Sequence, residues 1–315
     1  MDHASRPEML EATPAGIAAA ARLLQAGRLV AVPTETVYGL AARADRDESV
    51  AAIYRAKGRP SFNPLIVHVA DLTQAQEIAA FDDRARALAA AFWPGALTLV
   101  LPLQDGAPVA PAVTAGLPTV ALRCPAHPVM RAVIAAAGLP LAAPSANRSG
   151  AVSPTRAAHV VESLGSRADA VVDGGDCEAG LESTIVALRE DGRWQILRPG
   201  PIPEARIAAV LGTSSVPVTE GAIEAPGQLA SHYAPGKPVR LGADSAAPDE
   251  FHIGFGAVAG EATLSAGGDL VEAAARLYAL LHQAARAPQP RIAVAPVPES
   301  GIGIAINDRL RRAAA

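Results

Sequence analysis

The chain is poor in lysine, in cysteine and in aromatic residues. Only Lys57 and Lys237 stand among its 27 basic side chains, so arginine is the default cation. The two cysteines, Cys124 and Cys177, match no zinc spacing and predict no disulfide framework. Aromatics make up 3% of residues, which argues against a stacking platform for single-stranded nucleic acid. A net charge of -4 excludes a wholly cationic nucleic-acid binder, so a polyanion site has to be a local patch. The opening MDHASRPEMLEATP lacks the basic-then-apolar order of a signal segment. The most apolar stretch, Ala132–Ala146, is broken by Gly138, Pro140 and Pro144 and is too short for a bilayer. A cytoplasmic protein with no membrane segment is expected. The phosphate-loop, H-E-x-x-H and G-x-S-x-G motifs are all missing, and Gly254–Gly260 fits a dinucleotide fingerprint only loosely. Any nucleotide must therefore be held by scattered loops.

Half the residues are apolar, ample for a sizeable core, and a length of 315 predicts two domains. Short apolar strands alternate with amphipathic helices, which predicts an α/β fold. Helices are expected over Thr13–Ala26, Asp47–Ala56, Asp82–Phe92, Pro128–Ala137, Thr155–Leu164, Ile202–Leu211, Asp269–Ala285 and Gly301–Ala313. Strands are expected over Leu29–Val32, Leu65–Val69, Leu97–Leu101, Thr119–Arg123, Leu141–Pro144, Ala170–Val172, Leu181–Leu188, Trp194–Leu197 and Arg291–Pro296. Gly212–Pro226 is small, polar and irregular, and reads as a linker. The following GQLASHYAPGKP carries His232, Tyr233 and the second lysine, and a new unit starts near Val239.

The chemistry is organised around YRAKGRPSFNPLIVHV, residues 54–69. A helix ends in a loop crowded by Arg55, Lys57 and Arg59, and the loop feeds an apolar strand carrying His68. A lysine kept among arginines points to a compact ammonium facing phosphate. A solvated basic loop is the plainer alternative, as a satisfied core histidine is for His68. PTETVYGL, residues 33–40, places hydroxyls and a carboxylate at a strand end, where open α/β sheets hold ligands. A simple turn would use the same residues. Arg123 ends the strand TVALR, and a buried arginine calls for a carboxylate. Ser145–Gly150 and Ser153 form a hydroxyl- and amide-rich loop ahead of a helix N-terminus, a natural anion site.

In order along the chain, PTETVYGL, KGRPSFNPLIVH, FWPGALTLVL, TVALR, APSANRSG…SPT, LESTIV, LRPGP and SHYAP resemble the threonylcarbamoyl-AMP synthases in their long form. The resemblance is dense over residues 12–238 and resumes in GIGIAINDRLRRAA. It implies a YrdC-like catalytic domain at 12–211, built on a twisted open mixed sheet with flanking helices. A linker or lid at 212–238 and a smaller Rossmann-like α/β domain at 239–315 complete the chain. It also implies synthesis of threonylcarbamoyl-AMP and pyrophosphate from L-threonine, bicarbonate and ATP, for the tRNA threonylcarbamoyl-transfer machinery, with a weak tRNA contact. Thr36, His68, Arg123, Ala143 and Ser183 are carried over as the threonine set. Lys57, Arg59, Asn63, Thr119, Ser145, Asn147, Ser153, Arg198, His232 and Tyr233 are carried over as the ATP set. Lys57, Arg59, Ser145 and Asn147 are expected to act in catalysis, with Mg²⁺ sharing the triphosphate. Glu35 and Tyr38 either touch ligand or only shape their turn, and the general base is open. The competing reading is a non-catalytic module that binds structured RNA. A hydrogenase-maturation carbamoyl-transfer enzyme, which contains a related domain, would need zinc-finger cysteines that this chain lacks.

Overall fold

The computed structural model describes residues 6–218, 224–226 and 232–315. Ten strands form one sheet: β1 (Glu8–Glu11), β2 (Val30–Val32), β3 (Gly39–Arg43), β4 (Ile66–His68), β5 (Leu97–Pro102), β6 (Thr119–Arg123), β7 (Leu141–Ala142), β8 (Ala170–Asp173), β9 (Thr184–Leu188) and β10 (Trp194–Arg198). Their order is β1-β8-β2-β3-β7-β4-β6-β5-β9-β10, with parallel and antiparallel pairs mixed. The mixed sheet with flanking helices is the expected architecture.

Alternation along each strand sends side chains to opposite faces. In β2, Ala31 joins a large core with helices Asp47–Lys57, Asp83–Phe92, Ala157–Leu164 and Glu204–Leu211. Val30 and Val32 point the other way, onto helices Pro14–Gln25 and Pro128–Ala137. Those two helices cover only one end of their face. At the other end Ile66, Val100, Ala121, Ile185, Ala187 and Leu197 make a small cluster capped by Ala225. The uncovered middle of this face is where a cleft opens.

The second unit is a parallel sheet of β11 (Val239–Arg240), β12 (Glu250–Gly254), β13 (Ala262–Thr263) and β14 (Arg291–Val294), in the order β11-β14-β12-β13. Helices Leu270–Arg286 and Gly303–Ala314 pack on it. Its core also takes in Val37, Val152 and Leu181 from the large unit. Gly180 lies so close to helix Leu270–Arg286 that a Cβ there would collide with the backbone of Ala274 and Ala275. His159 and His282 stack across the same interface with ring centres 3.8 Å apart.

Several strands escape the sequence reading. β1 precedes residue 12 and buries only Leu10. β3 begins inside the stretch read as a strand end or turn and runs on to Arg43. β12 is buried throughout, yet Glu250 and His252 interrupt its apolar run. The glycine-rich Gly254–Gly260 is a tight turn closed by paired backbone bonds between Phe255 and Val258, not a nucleotide loop. No helix among the described residues is long and apolar enough to cross a membrane.

Candidate functional site

The cleft opens at the C-terminal ends of β4, β6, β7 and β10. The parallel register of β4 and β6 sets His68 beside Arg123. All five residues of the expected threonine set line it: Thr36, His68, Arg123, Ala143 and Ser183.

Arg123 is 3% exposed and tied on three sides. It donates to Glu35 at 2.6 Å, to Thr36 Oγ1 at 2.9 Å and to the Gly95 carbonyl at 3.2 Å. Three of its five N–H donors are thus engaged among the described residues, leaving one on each terminal nitrogen. Burial alone would raise the Glu35 carboxyl, but the Arg123 guanidinium and backbone N–H groups hold it below its usual value. Glu35 also accepts from Ala126 N and His127 N, so it braces the arginine. Thr34 donates its one hydroxyl proton to the Val37 carbonyl and accepts from the amides of Thr36 and Val37. Such side-chain bonds set the loop after β2. The Thr36 hydroxyl must then donate to Thr34, and it faces Arg123 as an acceptor.

His68 is buried, and its Nδ1 has no partner among the described residues. Burial and then the Arg123 charge push its pKa down to about 3, so the ring is neutral. Ser183 shares its hydroxyl with Thr98 at 2.7 Å, and its carbonyl accepts from Arg198 at 3.0 and 3.1 Å.

Of the expected ATP set, Arg59, Ser145, Arg198, His232 and Tyr233 line the cleft. Among the described residues, Arg59 donates only to the carbonyls of Asn63 and Pro64. Neither it nor Arg198 is in an ion pair among the described residues. Burial and then repulsion by Arg198, partly offset by Tyr54, bring Arg59 down to about 10. Buried, unpaired guanidinium groups are costly and call for an anion. His232 is pushed to about 3, first by burial and then by Lys57, Arg59 and Arg198 against the pull of Glu182.

Five expected ATP contacts lie off the cleft wall. The Lys57 ammonium lies beneath it, giving two of its three N–H donors to the carbonyls of Ser145 and Asn147, both at 2.5 Å. Asn147 turns its amide nitrogen to the carbonyls of Arg148 and Ala151 and so holds the same loop. Ser153 gives its hydroxyl to Glu182 at 2.6 Å. Asn63 is buried with its Oδ1 unpartnered among the described residues. Thr119 sits at the far end of β6 from Arg123, opposite Pro102. Tyr38 and Glu35 do not line the cleft, and the Tyr38 hydroxyl bonds Gly174 and Gly175. The expected helix N-terminus is displaced: the helix starts at Ala157, with no side-chain cap on Arg156.

The sequence reading passed over Glu182 as a site residue, although LESTIV sets it beside Ser183. It lines the cleft, 6% exposed, and accepts from Ser153, Tyr278 and Arg309. Gly200, in LRPGP, packs so closely that a Cβ would strike the backbone of Glu182, Ser183 and Thr184. Among the described residues no group of three His, Cys, Asp or Glu side chains is placed to hold a metal ion. With Glu35 and Glu182 committed to arginines, the cleft does not fit a Mg²⁺ held by protein carboxylates.

Residues 22–200 match the family model described as telomere recombination, of Sua5, YciO and YrdC proteins. Residues 202–315 match the model of the threonylcarbamoyl-AMP synthase C-terminal domain. The threonylcarbamoyl-AMP synthase of Bacillus subtilis is 41% identical over 95% of this chain and 92% of its own length. That of Pyrococcus abyssi is 38% identical over 93% and 92%. Among solved structures, P. abyssi Sua5 complexed with L-threonine superposes with a TM-score of 0.88 at 35% identity, covering 98% of this chain and 97% of that one. A full-length HypF structure, at 21% identity and a TM-score of 0.53, shares the fold over 59% of this chain. Matched along both units and nearly end to end, the chain belongs to the threonylcarbamoyl-AMP synthase family in its two-domain form.

Proposed function

We propose that this chain joins L-threonine, bicarbonate and ATP into threonylcarbamoyl-AMP with release of pyrophosphate, supplying the tRNA threonylcarbamoyl-transfer machinery. One observation carries the reading. A single cleft has a braced arginine and a neutral imidazole at one end, and at the other two arginines without ion pairs among the described residues. The spare N–H pair of Arg123 suits the threonine carboxylate. His68, Thr36 and Ser183 offer polar partners to its hydroxyl and amine, and Ala143 lies against them.

In this reading the neutral amine forms a bond to the carbon of bicarbonate-derived CO₂, giving a carbamate, while the amine proton and the bicarbonate hydroxide leave as water. A carbamate oxygen then attacks the α-phosphorus, and the bond to the bridging oxygen breaks as pyrophosphate leaves with the electron pair. Negative charge builds on phosphoryl oxygens, where Arg59 and Arg198 stand preorganised. Lys57 and Asn147 act from beneath, fixing the Ser145 loop. Mg²⁺ enters with ATP as its phosphate complex. With a pKa of about 3, His68 is a neutral imidazole at neutral pH, one ring nitrogen donating and the other accepting, and orients substrate. Pro226, His232 and Tyr233 close one side, which favours a lid that keeps water from carbamate and anhydride.

The names of the relatives favour a synthase over a non-catalytic RNA-binding module. Pyrophosphate release decides between them. It is expected only when threonine, bicarbonate and ATP are all present, and release that ignores threonine would sink the proposal.

A further inference from the structure

The segment GIGIAINDRLRRAAA sends one side chain to the back of the cleft. Arg309, on helix Gly303–Ala314, is 0% exposed. Its Nε donates to Glu182 at 2.9 Å and its Nη1 to Asp308 at 2.6 Å, while its Nη2 has no partner among the described residues. The guanidinium also lies 5.4 Å from the ring centre of Tyr233. Tyr278, on helix Leu270–Arg286, donates to the same Glu182 oxygen at 2.8 Å and stacks on Tyr233 at 5.5 Å. Two side chains of the small unit thus grip two residues of the cleft wall.

A carboxylate in the wall of a phosphate-binding cleft poses a problem. Unsatisfied, it would repel the nucleotide and draw in the nearest free cation. That cation is Arg198, whose guanidinium bonds the adjacent Ser183 and, after Arg309, is the charge that most favours ionised Glu182. Arg309 reaches Glu182 from outside the cleft lining.

We propose that Arg309 is a positioning residue for the nucleotide: by engaging Glu182 from behind, it leaves Arg198 free to meet phosphate. The small unit is then part of the electrostatics of the cleft. This rests on the reading that Arg59 and Arg198 face the triphosphate. The charged and titratable groups around Glu182 are Arg309, Arg198, Lys57, His232, Tyr233 and Tyr278. With Arg309 gone, burial would raise the Glu182 carboxyl, opposed by Arg198 and the Ser153 hydroxyl.

The test measures ATP affinity in the full chain by equilibrium titration with a fluorescent ATP analogue, alongside the KM values for ATP and threonine. Arg309→Met is expected to weaken nucleotide binding at least tenfold while the threonine KM moves less than threefold. Measured against the unsubstituted protein at each pH, the loss should shrink as pH falls from 8 toward 5.5 and Glu182 takes up a proton. Adding Glu182→Gln should restore binding to within about threefold. Arg309→Met binding ATP normally, or a folded double variant still tenfold weak, overturns the proposal. Should Arg309→Met fail to fold, the double variant and Arg309→Lys, expected to bind two- to fivefold more weakly, carry the same decision. A wild-type protein that binds ATP without releasing pyrophosphate would overturn the proposed reaction and leave this inference standing.

Discussion

Arg123 keeps two N–H donors in reserve while Glu35, Thr36 and Gly95 fix its plane. Replacing it with lysine removes the fork but keeps a charge. Hydrogen bonds to charged groups are worth about 1.5–3 kcal/mol, so the threonine KM of Arg123→Lys should rise roughly 10- to 150-fold. Nucleotide affinity, read by titration, should stay within a few-fold. Serine differs from threonine by one methyl, which a pocket distinguishes by only about 1–3 kcal/mol. Serine should therefore be a measurable but inferior substrate, and equal kcat/KM for the two would refute the proposed pocket. Single residues were partly legible in the sequence. His68 and Arg123 stand out because a polar group on an apolar strand needs a reason. Lys57 stands out as a cation, but its neighbours decide which way it faces. Two carbonyls 88 and 90 residues away claim its ammonium, and no local pattern announces them. Ser153 is similar, its hydroxyl taken by a glutamate 29 residues on.

At the scale of elements, register does most of the positioning. A one-residue slip of β4 along β6 would part His68 from Arg123 and turn His68 away from the cleft. The strands that carry these residues read clearly as short apolar runs, and their bounds fall within a residue or two of expectation. β12 is less legible because a parallel strand covered on both faces normally shows an unbroken apolar run. Here Glu250 pairs with Arg240 and His252 bonds the Ala243 carbonyl, so polar letters hide a core strand. The turn after β10 offers a sharp test. Gly200→Ala would force a methyl into the backbone of Glu182–Thr184. Overpacking of this kind costs about 1–3 kcal/mol. Urea unfolding should show a loss of that order, and binding of both substrates should weaken, since Ser183 and Arg198 flank the collision.

Across the whole molecule, a second unit was expected from the change of composition after residue 211, whereas the contacts between units were not legible in the sequence. His159 and His282 are 123 positions apart, yet they stack. His159 Nδ1 accepts from Thr155 N, and His282 Nε2 meets the Ser153 carbonyl. Burial, then His282, Arg156 and Arg286, push His159 down to about 3. Burial also lowers His282, which Glu162 opposes and Arg286 assists. The unfolded chain binds protons below about pH 6.5, and the folded one resists them until near 3. The contribution to stability is therefore complete above pH 6.5 and declines as pH falls. Melting temperature should drop between pH 7.5 and 5, and drop less in His282→Gln. Removing residues 212–315 should abolish most turnover, because Pro226, His232 and Tyr233 leave the cleft wall and Glu182 loses Arg309. Breaking a buried ion pair typically costs about 3–5 kcal/mol, so undiminished turnover in that truncation would contradict both the lid and the buried pair.

Gly180 adds a consequence for anyone recombining such chains. The absent side chain is a keyhole cut to the height of one helix. A C-terminal half borrowed from a relative would seat only if its own helix passed residue 180 at the same clearance. A bulkier or shifted graft would be levered off its mount, even with every ligand-facing residue intact.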